Sequence, residues 1–484
     1  MIKKCDVIIV GAGVIGTGLA RELSRYKLDV VVMEKEPDVG WGTTKANSGI
    51  IHAGYDAKPG TVKASFSAPG NKKYEEWTKP LSVPFKRIGS FVSTKEESQL
   101  DKLEKLMEQG HENGVDKLEI IKDKARIKDL EPNISEKVEA VLHAPTAGVV
   151  APYKLTIALY ENARENGVDF FFNSPVEEIE VTNNSESDGR FAVTSSEGEI
   201  HGDYVINAAG ISSGKVAKMV GDDSFSIFPA RGEYHLLDSE IQGYVNKINF
   251  PLPTGDSKGI LVTPAAEGSI IFGPNHQPLE KPSVATTRQG LDQVFNGATD
   301  LFPDIDTGKI VTNFAGLRAK AGSDDFEIGE SEAVKGFINV GGIQSPGLTA
   351  APAISEHVIG LLEEKGLTLE VEQSFSPSRE PIPNFADMDM EEISEYTDDF
   401  RAAKEIVCRC EEVTRAEIEE AIERGADTLD GIKFRTRSRM GSCQGGFCTP
   451  RLVEILSDEL GISPKDVTKK GDGSYLLDGE TKEG

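Results

Sequence analysis

Four of the five cysteines in the 484-residue sequence lie in one short stretch, at Cys408, Cys410, Cys443 and Cys448. Clustered thiols favour a metal site, whereas scattered pairs are typical of disulfides in secreted proteins. Four thiolates bind either a zinc ion or an iron–sulfur cluster. Structural zinc sites usually separate paired cysteines by about two to four residues, and the first pair here is closer. The spacing alone therefore leaves both metals open.

Two helices are predicted around these cysteines. Thr414 and Glu417 have the spacing of a capping box, in which each side chain bonds the other residue's backbone N–H. Thr449 and Pro450 begin a second helix, because proline at the first helical position loses no hydrogen bond. Cys448 therefore precedes a helix N-terminus, whose free N–H groups and positive dipole end favour a thiolate and an anionic cluster.

A second set of residues, near the start of the sequence, has the spacing of a dinucleotide-binding turn. An apolar run ends at Gly11, Gly13 and Gly16, a helical pattern follows, and a second apolar run ends at Glu34. Gly11 permits the tight turn, Gly13 lets the backbone approach a pyrophosphate, and Gly16 lets helix and strand pack closely. The helix N-terminus then faces the phosphates, and Glu34 is placed to accept hydrogen bonds from ribose hydroxyls.

Three further stretches distinguish FAD from NAD as the dinucleotide. Residues 40–49, 203–210 and 336–342 are rich in glycine and other small residues, and the last two are apolar runs that end in them. Small residues at strand ends let a flat, bulky cofactor lie against the backbone. Three such stretches, spread over the sequence, favour an extended FAD.

Residues 5 to about 365 resemble the D-amino-acid-oxidase-type FAD oxidoreductases, and within them the glycerol-3-phosphate and L-2-hydroxyglutarate dehydrogenases. The resemblance includes the glycine turn and four further motifs. These are Asn-Ser-Gly-Ile-Ile-His-Ala-Gly at 47–54, Pro-Ala-Arg-Gly-Glu-Tyr at 229–234, Ala-Gly-Leu-Arg at 315–318 and Ser-Pro-Gly-Leu-Thr at 345–349.

The resemblance implies FAD contacts beyond the glycine turn and Glu34. Gly341, Gly342 and Ile343 would approach the flavin ring, and Val176 would meet the adenine through its backbone. The other residues that the resemblance implies are Lys35, Thr43, Thr44, Ser48, Ala209, Gly210, Gly347, Leu348 and Thr349.

An enzyme of this type transfers a hydride from a carbon that bears a hydroxyl or an amine, and the protein must remove a proton. Histidine suits this role because its ordinary pKa is about 6.5. His52, in the loop that the resemblance places beside the flavin, is the favoured base or orienting group, although it could instead bond the cofactor or only pack. His235 and His276 are weaker candidates.

An anionic substrate requires a cation, and the planar fork of arginine matches carboxylate or phosphate. Arg318 corresponds to the substrate-anion arginine of the resembled families, and Arg231 is a second candidate that could equally form a structural ion pair. The substrate stays open at this point. The motif at 231–234 is closer to the hydroxyglutarate enzymes, whereas the cysteine module is closer to the anaerobic glycerol-3-phosphate type, and an amino acid is a further alternative.

The cysteine module, with Cys-x-Cys followed by Met-Gly-Ser-Cys-Gln-Gly-Gly-Phe-Cys at 440–448, is similar to the BFD-like [2Fe–2S] domain. In particular it resembles the copy fused to the large subunit of anaerobic glycerol-3-phosphate dehydrogenases. All four ligand positions of that family are present, so the resemblance implies a [2Fe–2S] cluster rather than zinc.

Composition excludes several classes of partner. The formal charge of −27 disfavours nucleic acid and anionic membrane surfaces. No apolar stretch approaches the ~20 residues of a membrane span, and the N-terminal apolar run has no cleavage site of a signal peptide. We therefore expect a soluble, cytoplasmic protein, with Cys5 as a small buried core residue.

The predicted fold class is α/β, with a Rossmann-like FAD-binding domain interleaved with a β-rich substrate domain, plus a small helical C-terminal iron–sulfur domain. The predicted boundaries are 1–375 for the oxidoreductase, 376–403 for a linker, 404–461 for the [2Fe–2S] domain and 462–484 for a tail. Electrons from a small anionic substrate would leave through the cluster to a separate redox subunit or carrier. The competing interpretation is a non-catalytic electron-transfer subunit.

Overall fold

The computed structural model describes residues 2–182, 189–252 and 259–479. It divides into two compact units, which are residues 1–35 with 39–379, and residues 36–38 with 380–484. We refer to them as the large unit and the small unit.

The large unit alternates strands and helices along its length. Its strands are β1 Ile2–Val10, β2 Val30–Met33, β3 Ile50–Ile51, β4 Phe85–Arg87, β5 Ser90–Thr94, β6 Glu119–Ile121, β7 Ala140–Ala144, β8 Gly148–Val150, β9 Asp169–Phe171, β10 Val176–Val181, β11 Phe191–Ser195, β12 Gly198–Asn207, β13 Ile227–Leu237, β14 Ile248–Pro251, β15 Val262–Pro264, β16 Ile270–Phe272, β17 Gln277–Pro278, β18 Ile310–Ala321, β19 Glu327–Glu330 and β20 Phe337–Gly341. Its helices are α1 Val14–Leu23, α2 Val62–Lys72, α3 Tyr74–Thr78, α4 Leu100–Glu112, α5 Lys124–Leu130, α6 Pro152–Glu165, α7 Ser213–Met219, α8 Arg288–Leu301 and α9 Gly347–Glu364.

An eight-stranded sheet carries the glycine turn. Its central strands run in the order β12, β1, β2 and β9, all parallel, and β20 adds to the carboxyl half of β12 in the same direction. Strands β1 and β2 are rich in valine and isoleucine, and all four residues of β2 are buried, as expected for strands covered on both faces. The carboxyl ends of β1, β2, β12 and β20 therefore meet at one edge.

A nine-stranded sheet, largely antiparallel, forms the second layer, with β13 and β18 paired along their length. Its strands come from residues 90–144, 227–278 and 310–321, between the segments that build the first sheet. The chain thus passes repeatedly from one sheet to the other, which confirms the predicted interleaved α/β architecture.

The small unit is mainly helical. Its elements are α10 Met390–Ser394, α11 Phe400–Lys404, β21 Ile406–Cys408, β22 Val413–Thr414, α12 Arg415–Glu423, α13 Leu429–Thr436 and α14 Thr449–Leu460. Thr414 and Glu417 form the capping box predicted from their spacing. Cys448 is the N-cap of α14, and Pro450 is its second residue rather than its first.

Two segments predicted as linker and tail contain ordered elements. Within 376–403 lie α10 and part of α11, which bury Phe385, Ile393 and Ala403 against one another. Beyond residue 461, Val467 is buried in the core of the small unit, and Thr468 pairs with Tyr475. Residues 480–484 of the predicted tail lie outside the described residues. Throughout the part of the chain that is described, no helix combines the length and apolar character needed to cross a membrane.

The end of the large unit is held by helices α1 and α6. The amide of Asn162 donates to the carbonyls of Ser376 and Ser378, at 3.0 Å each. Arg21 is fully buried and donates to Asn162 Oδ1 and to the carbonyl of Pro377, at 3.0 Å each. The first residues of the predicted linker are therefore bound to the large unit.

We predict that Arg21→Met lowers the free energy of unfolding of the large unit by about 3 kcal/mol, because it leaves the buried Asn162 oxygen and Pro377 carbonyl unpaired. Urea unfolding, followed by the fluorescence of released flavin, measures this change. Arg25→Met is the control. Its exposed guanidinium pairs with Glu22, so its loss should cost about 1 kcal/mol or less. Equal losses in the two variants would contradict the role of Arg21.

Candidate functional site

The glycine turn joins the ends of three parallel strands. Gly11 has a φ of +103°, and its N–H donates to the carbonyl of Met33 at 2.8 Å. A Cβ on Gly11 would lie 2.7 Å from the carbonyl oxygen of Ala208, which follows β12. Glycine is required on both counts, since the backbone is left-handed and no space remains for a side chain.

The start of α1 lies directly on the glycine turn, where a phosphate would meet the first N–H groups of the helix. A Cβ on Gly16 would lie 1.9 Å from the carbonyl oxygen of Gly11, so the helix packs directly on the turn. Gly13 is the N-cap and supplies no side chain, and the N–H of Val14 instead donates to the Thr44 hydroxyl at 3.1 Å. The residues present therefore fit a pyrophosphate at this helix end.

Glu34 and Val176, which are predicted to contact the adenosine part of the cofactor, lie in neighbouring segments. Its carboxylate accepts from the N–H of Ala12 at 2.7 Å, and its carbonyl accepts from the N–H of Ser174 at 2.8 Å. Val176 begins β10 two residues later, and Lys35 is exposed. The structure thus brings the Glu34 and Val176 segments together.

The loop of residues 43–52 links the helix end to the second sheet. The hydroxyl of Thr43 donates to the carbonyl of Leu317 at 2.7 Å. A Cβ on Gly316 would lie 1.9 Å from the carbonyl oxygen of Ala46, so the loop lies directly on β18. Ser48, further along the loop, hydrogen-bonds the buried Tyr234 of β13, whose pKa is raised by burial.

The segment after β20 reaches the same loop. The N–H of His52 donates to the Thr349 hydroxyl at 2.8 Å, and the Leu348 carbonyl accepts from the Tyr74 hydroxyl at 2.6 Å. Gly342 has a φ of +67°. The remaining predicted flavin contacts follow β12 or lie between β20 and the start of α9, and they are Ala209, Gly210, Gly341, Ile343 and Gly347.

His52 lies at the end of the loop of residues 43–52. Its Nε2 is hydrogen-bonded to the Ser345 hydroxyl at 3.2 Å, and its ring centroid is 5.8 Å from that of Phe250. The imidazole is partly exposed. Ser345 and Phe250 were not predicted as site residues. Ser345 lies within a quoted motif, but nothing in the sequence indicates Phe250.

The two candidate arginines lie on opposite faces of the second sheet. Arg318 is directly across from Ala230 in the β13–β18 register, whereas Arg231 is across from Leu317. In an antiparallel pair, opposite residues share a face. Arg318 therefore shares its face with Tyr234 and the 43–52 loop, and Arg231 does not.

Arg231 is enclosed by protein groups on the far face. It is buried and donates to the Ala285 carbonyl and to Gln277 Oε1. His235, on the same face, is hydrogen-bonded to the Leu291 carbonyl of α8 at 3.2 Å, and His276 is exposed. Of the predicted catalytic set, the structure brings His52 and Arg318 to the loop side and places Arg231 elsewhere.

The four cysteines of the small unit form two pairs. Cys408 is hydrogen-bonded to Cys448, and Cys410 to Cys443. Four thiols grouped in two pairs are a donor set that fits a [2Fe–2S] cluster, because each of its two irons takes two thiolates.

The backbone around these sulfurs is arranged to donate hydrogen bonds. The bond with Cys448 lowers the pKa of Cys408 to about 6, against the effect of burial, and N–H groups including that of Arg439 add to it. Burial raises the pKa of Cys443, but N–H groups led by that of Phe447 lower it below its usual value. Non-glycine residues with positive φ lie in this module, at Glu412 (53°), Arg437 (71°), Arg439 (72°) and Gln444 (49°). Such strain is typical of functional sites.

A glycine turn at the carboxyl edge of a parallel sheet is typical of dinucleotide-binding proteins. Residues 6–361 match the DAO family, described as FAD dependent oxidoreductase. This chain belongs to that family. Residues 406–458 match the BFD-like [2Fe-2S] binding domain. FAD and a [2Fe–2S] cluster are therefore the cofactors, as the sequence motifs implied.

Three similar proteins cover different parts of the chain. A glycerol 3-phosphate dehydrogenase of Caloramator mitchellensis is 44% identical over 480 residues, which is 99% of each chain. The human mitochondrial L-2-hydroxyglutarate dehydrogenase is 30% identical over 345 residues, which cover 68% of this chain and 70% of that protein. The FAD-bound L-alpha-glycerophosphate oxidase of Mycoplasma pneumoniae is 27% identical and covers 78% of this chain and 98% of its own, with a TM-score of 0.73.

We predict that Cys443→Ser removes iron and sulfide from protein purified without air, while FAD stays bound, because serine oxygen is a poor ligand for the cluster. Iron, sulfide and flavin analysis of the same sample gives the result. Cys5→Ala, a change in the buried core of the large unit, should leave all three unchanged. Zinc without sulfide in the unchanged protein would contradict the assignment of the cluster.

Proposed function

We propose that this protein oxidises glycerol-3-phosphate at its secondary hydroxyl and passes the electrons through FAD and the [2Fe–2S] cluster to a partner. One observation carries the proposal. A single loop, residues 43–52, bonds the N-terminus of α1 through Thr44, the strand of Arg318 through Thr43, and the Thr349 segment through His52. The loop thus contacts the helix end proposed to bind the pyrophosphate and the strand of the proposed anion-binding arginine, and it contains the proposed base.

The choice of glycerol-3-phosphate over 2-hydroxyglutarate rests on both modules together. The relative that matches 99% of the chain is named a glycerol 3-phosphate dehydrogenase, whereas the human hydroxyglutarate enzyme matches 68%. The cysteine module had already favoured the glycerol-3-phosphate type. The Arg-Gly-Glu-Tyr motif at 231–234 was the argument for L-2-hydroxyglutarate. The structure weakens that argument, because Arg231 lies on the face of the sheet away from Arg318.

The roles of the residues follow from their positions. FAD, when bound, supplies the hydride acceptor. Arg318 holds the substrate phosphate through its planar fork. His52 Nε2 accepts the proton of the secondary hydroxyl as the carbon loses its hydride, so that a ketone is formed. The substrate hydroxyl would take the place of the Ser345 hydroxyl, which lies 3.2 Å from Nε2.

The electron acceptor would be a separate redox subunit or carrier. Substrate oxidation delivers two electrons to FAD, and the cluster carries one electron at a time. Both electrons must therefore pass on to an acceptor before the next turnover. Phe447 is 82% exposed between the cluster ligands Cys443 and Cys448, so this edge of the small unit is open to solvent. The clustering of four cysteines as metal ligands, rather than as scattered disulfide pairs, supports a reducing, cytoplasmic location.

Anaerobic titration tests the substrate. We expect glycerol-3-phosphate to bleach the flavin absorbance of the oxidised holoprotein, and L-2-hydroxyglutarate, lactate and glycine to leave it unchanged. Bleaching by L-2-hydroxyglutarate alone would establish the alternative substrate. If no compound of the panel reduced the flavin, the protein would be an electron-transfer subunit instead.

Two variants test the assigned roles. Arg318→Ala should raise KM by about 100-fold, because it removes charged hydrogen bonds to the phosphate. His52→Asn should lower kcat by about 10²–10⁴-fold with a smaller effect on KM, because it removes the base. His111→Asn, an exposed change on α4, is the control and should leave both constants unchanged. A His52→Asn variant with full kcat would contradict its role.

A further inference from the structure

The guanidinium of Arg318 is held by two backbone carbonyls. Its Nη1 donates to the carbonyl of Arg231 at 3.3 Å, and its Nη2 donates to the carbonyl of Asn275 at 3.1 Å. A Cβ on Gly232 would lie 2.9 Å from Arg318 Nη2, so the arginine side chain lies over this glycine. Each terminal nitrogen has a second N–H that can bind an anion. The direction of these two N–H groups depends on the positions of the two carbonyls.

The Asn275 carbonyl is fixed through its own side chain. Asn275 is buried, its Oδ1 accepts from the N–H of Glu233 at 2.8 Å, and its Nδ2 donates to Glu233 Oε2 at 2.9 Å. Two hydrogen bonds in opposite senses allow one orientation of the amide. The position of Asn275 therefore follows the position of Glu233.

Glu233 is fixed in turn by the start of α8. Its side chain is fully buried and accepts from the backbone N–H and the hydroxyl of Thr287, the N-cap of this 14-residue helix. The positive end of the helix stabilises a carboxylate here. A Cβ on Gly290 would lie 1.5 Å from Glu233 Oε2, so only glycine leaves room for the carboxyl group.

We propose that Glu233 and Asn275 are positioning residues, which set the direction of Arg318 and thereby the affinity of the site for the substrate anion. The proposal rests on the proposed function, because it takes Arg318 as the residue that binds the phosphate. This positioning role would explain the Arg-Gly-Glu-Tyr motif at 231–234, because three of its residues contribute to the position of Arg318. Arg231 supplies a carbonyl, Gly232 supplies space, and Glu233 anchors the second carbonyl through Asn275.

Inorganic phosphate is the probe, and its binding to the oxidised holoprotein is followed by the change in flavin absorbance. Glu233→Gln keeps the size of the side chain but turns an amide N–H toward a donor. We expect it to weaken phosphate binding about tenfold and to raise KM for glycerol-3-phosphate equally, with kcat changed less than about threefold. Asn275→Ala should act in the same direction, and it supplies the test if Glu233→Gln does not fold.

Glu131→Gln is the matched control. Glu131 is also fully buried and accepts from backbone N–H groups, those of Asn246 and Lys247, and from the amide of Asn249. It has no contact with Arg318 among those described. Glu131→Gln should lower Tm as Glu233→Gln does, yet bind phosphate with unchanged affinity.

The outcomes separate this proposal from the proposed function. If Arg318→Ala abolishes phosphate binding while Glu233→Gln and Asn275→Ala bind it within about twofold of the unchanged protein, the positioning role is wrong and the anion site stands. If Arg318→Ala binds phosphate normally, the anion site itself is wrong. If Glu131→Gln lost as much phosphate affinity as Glu233→Gln, the effect would come from general destabilisation of the fold, and the positioning role would be wrong.

Discussion

Parallel pairing of β1 with β2 and β12 is the constraint on which the cofactor site depends. Parallel strands end at the same edge, where the N–H of Gly11 donates to the Met33 carbonyl and the Ala208 carbonyl leaves no space for a side chain. α1 begins directly after this turn and packs on it through Gly16, so the start of the helix lies at the same edge as the strand ends. Any movement of these strands would displace the phosphate-binding groups and the Glu34 segment together.

The segment of residues 43–52, which ends in the short strand β3, connects this edge to the second sheet. Residues 43–52 contact α1, β18 and the start of α9 through the hydroxyls of Thr43, Thr44 and Thr349. Loops carry function when a rigid scaffold holds them, and here each end of the loop bonds to a different element. The first sheet therefore helps to position His52 and the strand of the second sheet that carries Arg318.

The small unit brings four cysteine thiols close together within a small apolar core. Helix α14 begins at Cys448, and the strained residues between α13 and α14 turn backbone N–H groups toward the sulfurs. Left-handed arginines cost free energy, and the buried apolar core of the unit offsets that cost. The cluster-binding loop is thus held by the helices that flank it.

The resemblance to the FAD oxidoreductases implied the interleaved α/β class, and the sequence by itself determined the local features: the glycine turn, the capping box at Thr414 and the helix start at Cys448. Each depends on contacts between residues close in the chain, or on spacing that follows directly from helix and strand geometry. Sequence motifs also indicated His52 and Arg318. Only the tertiary structure decided that Arg231 faces away from Arg318 and that Glu233 reaches Arg318 through Asn275. The face of a strand residue is set by pairing register with a distant strand, and a hydrogen bond across 42 residues of chain leaves no periodic signal in the sequence.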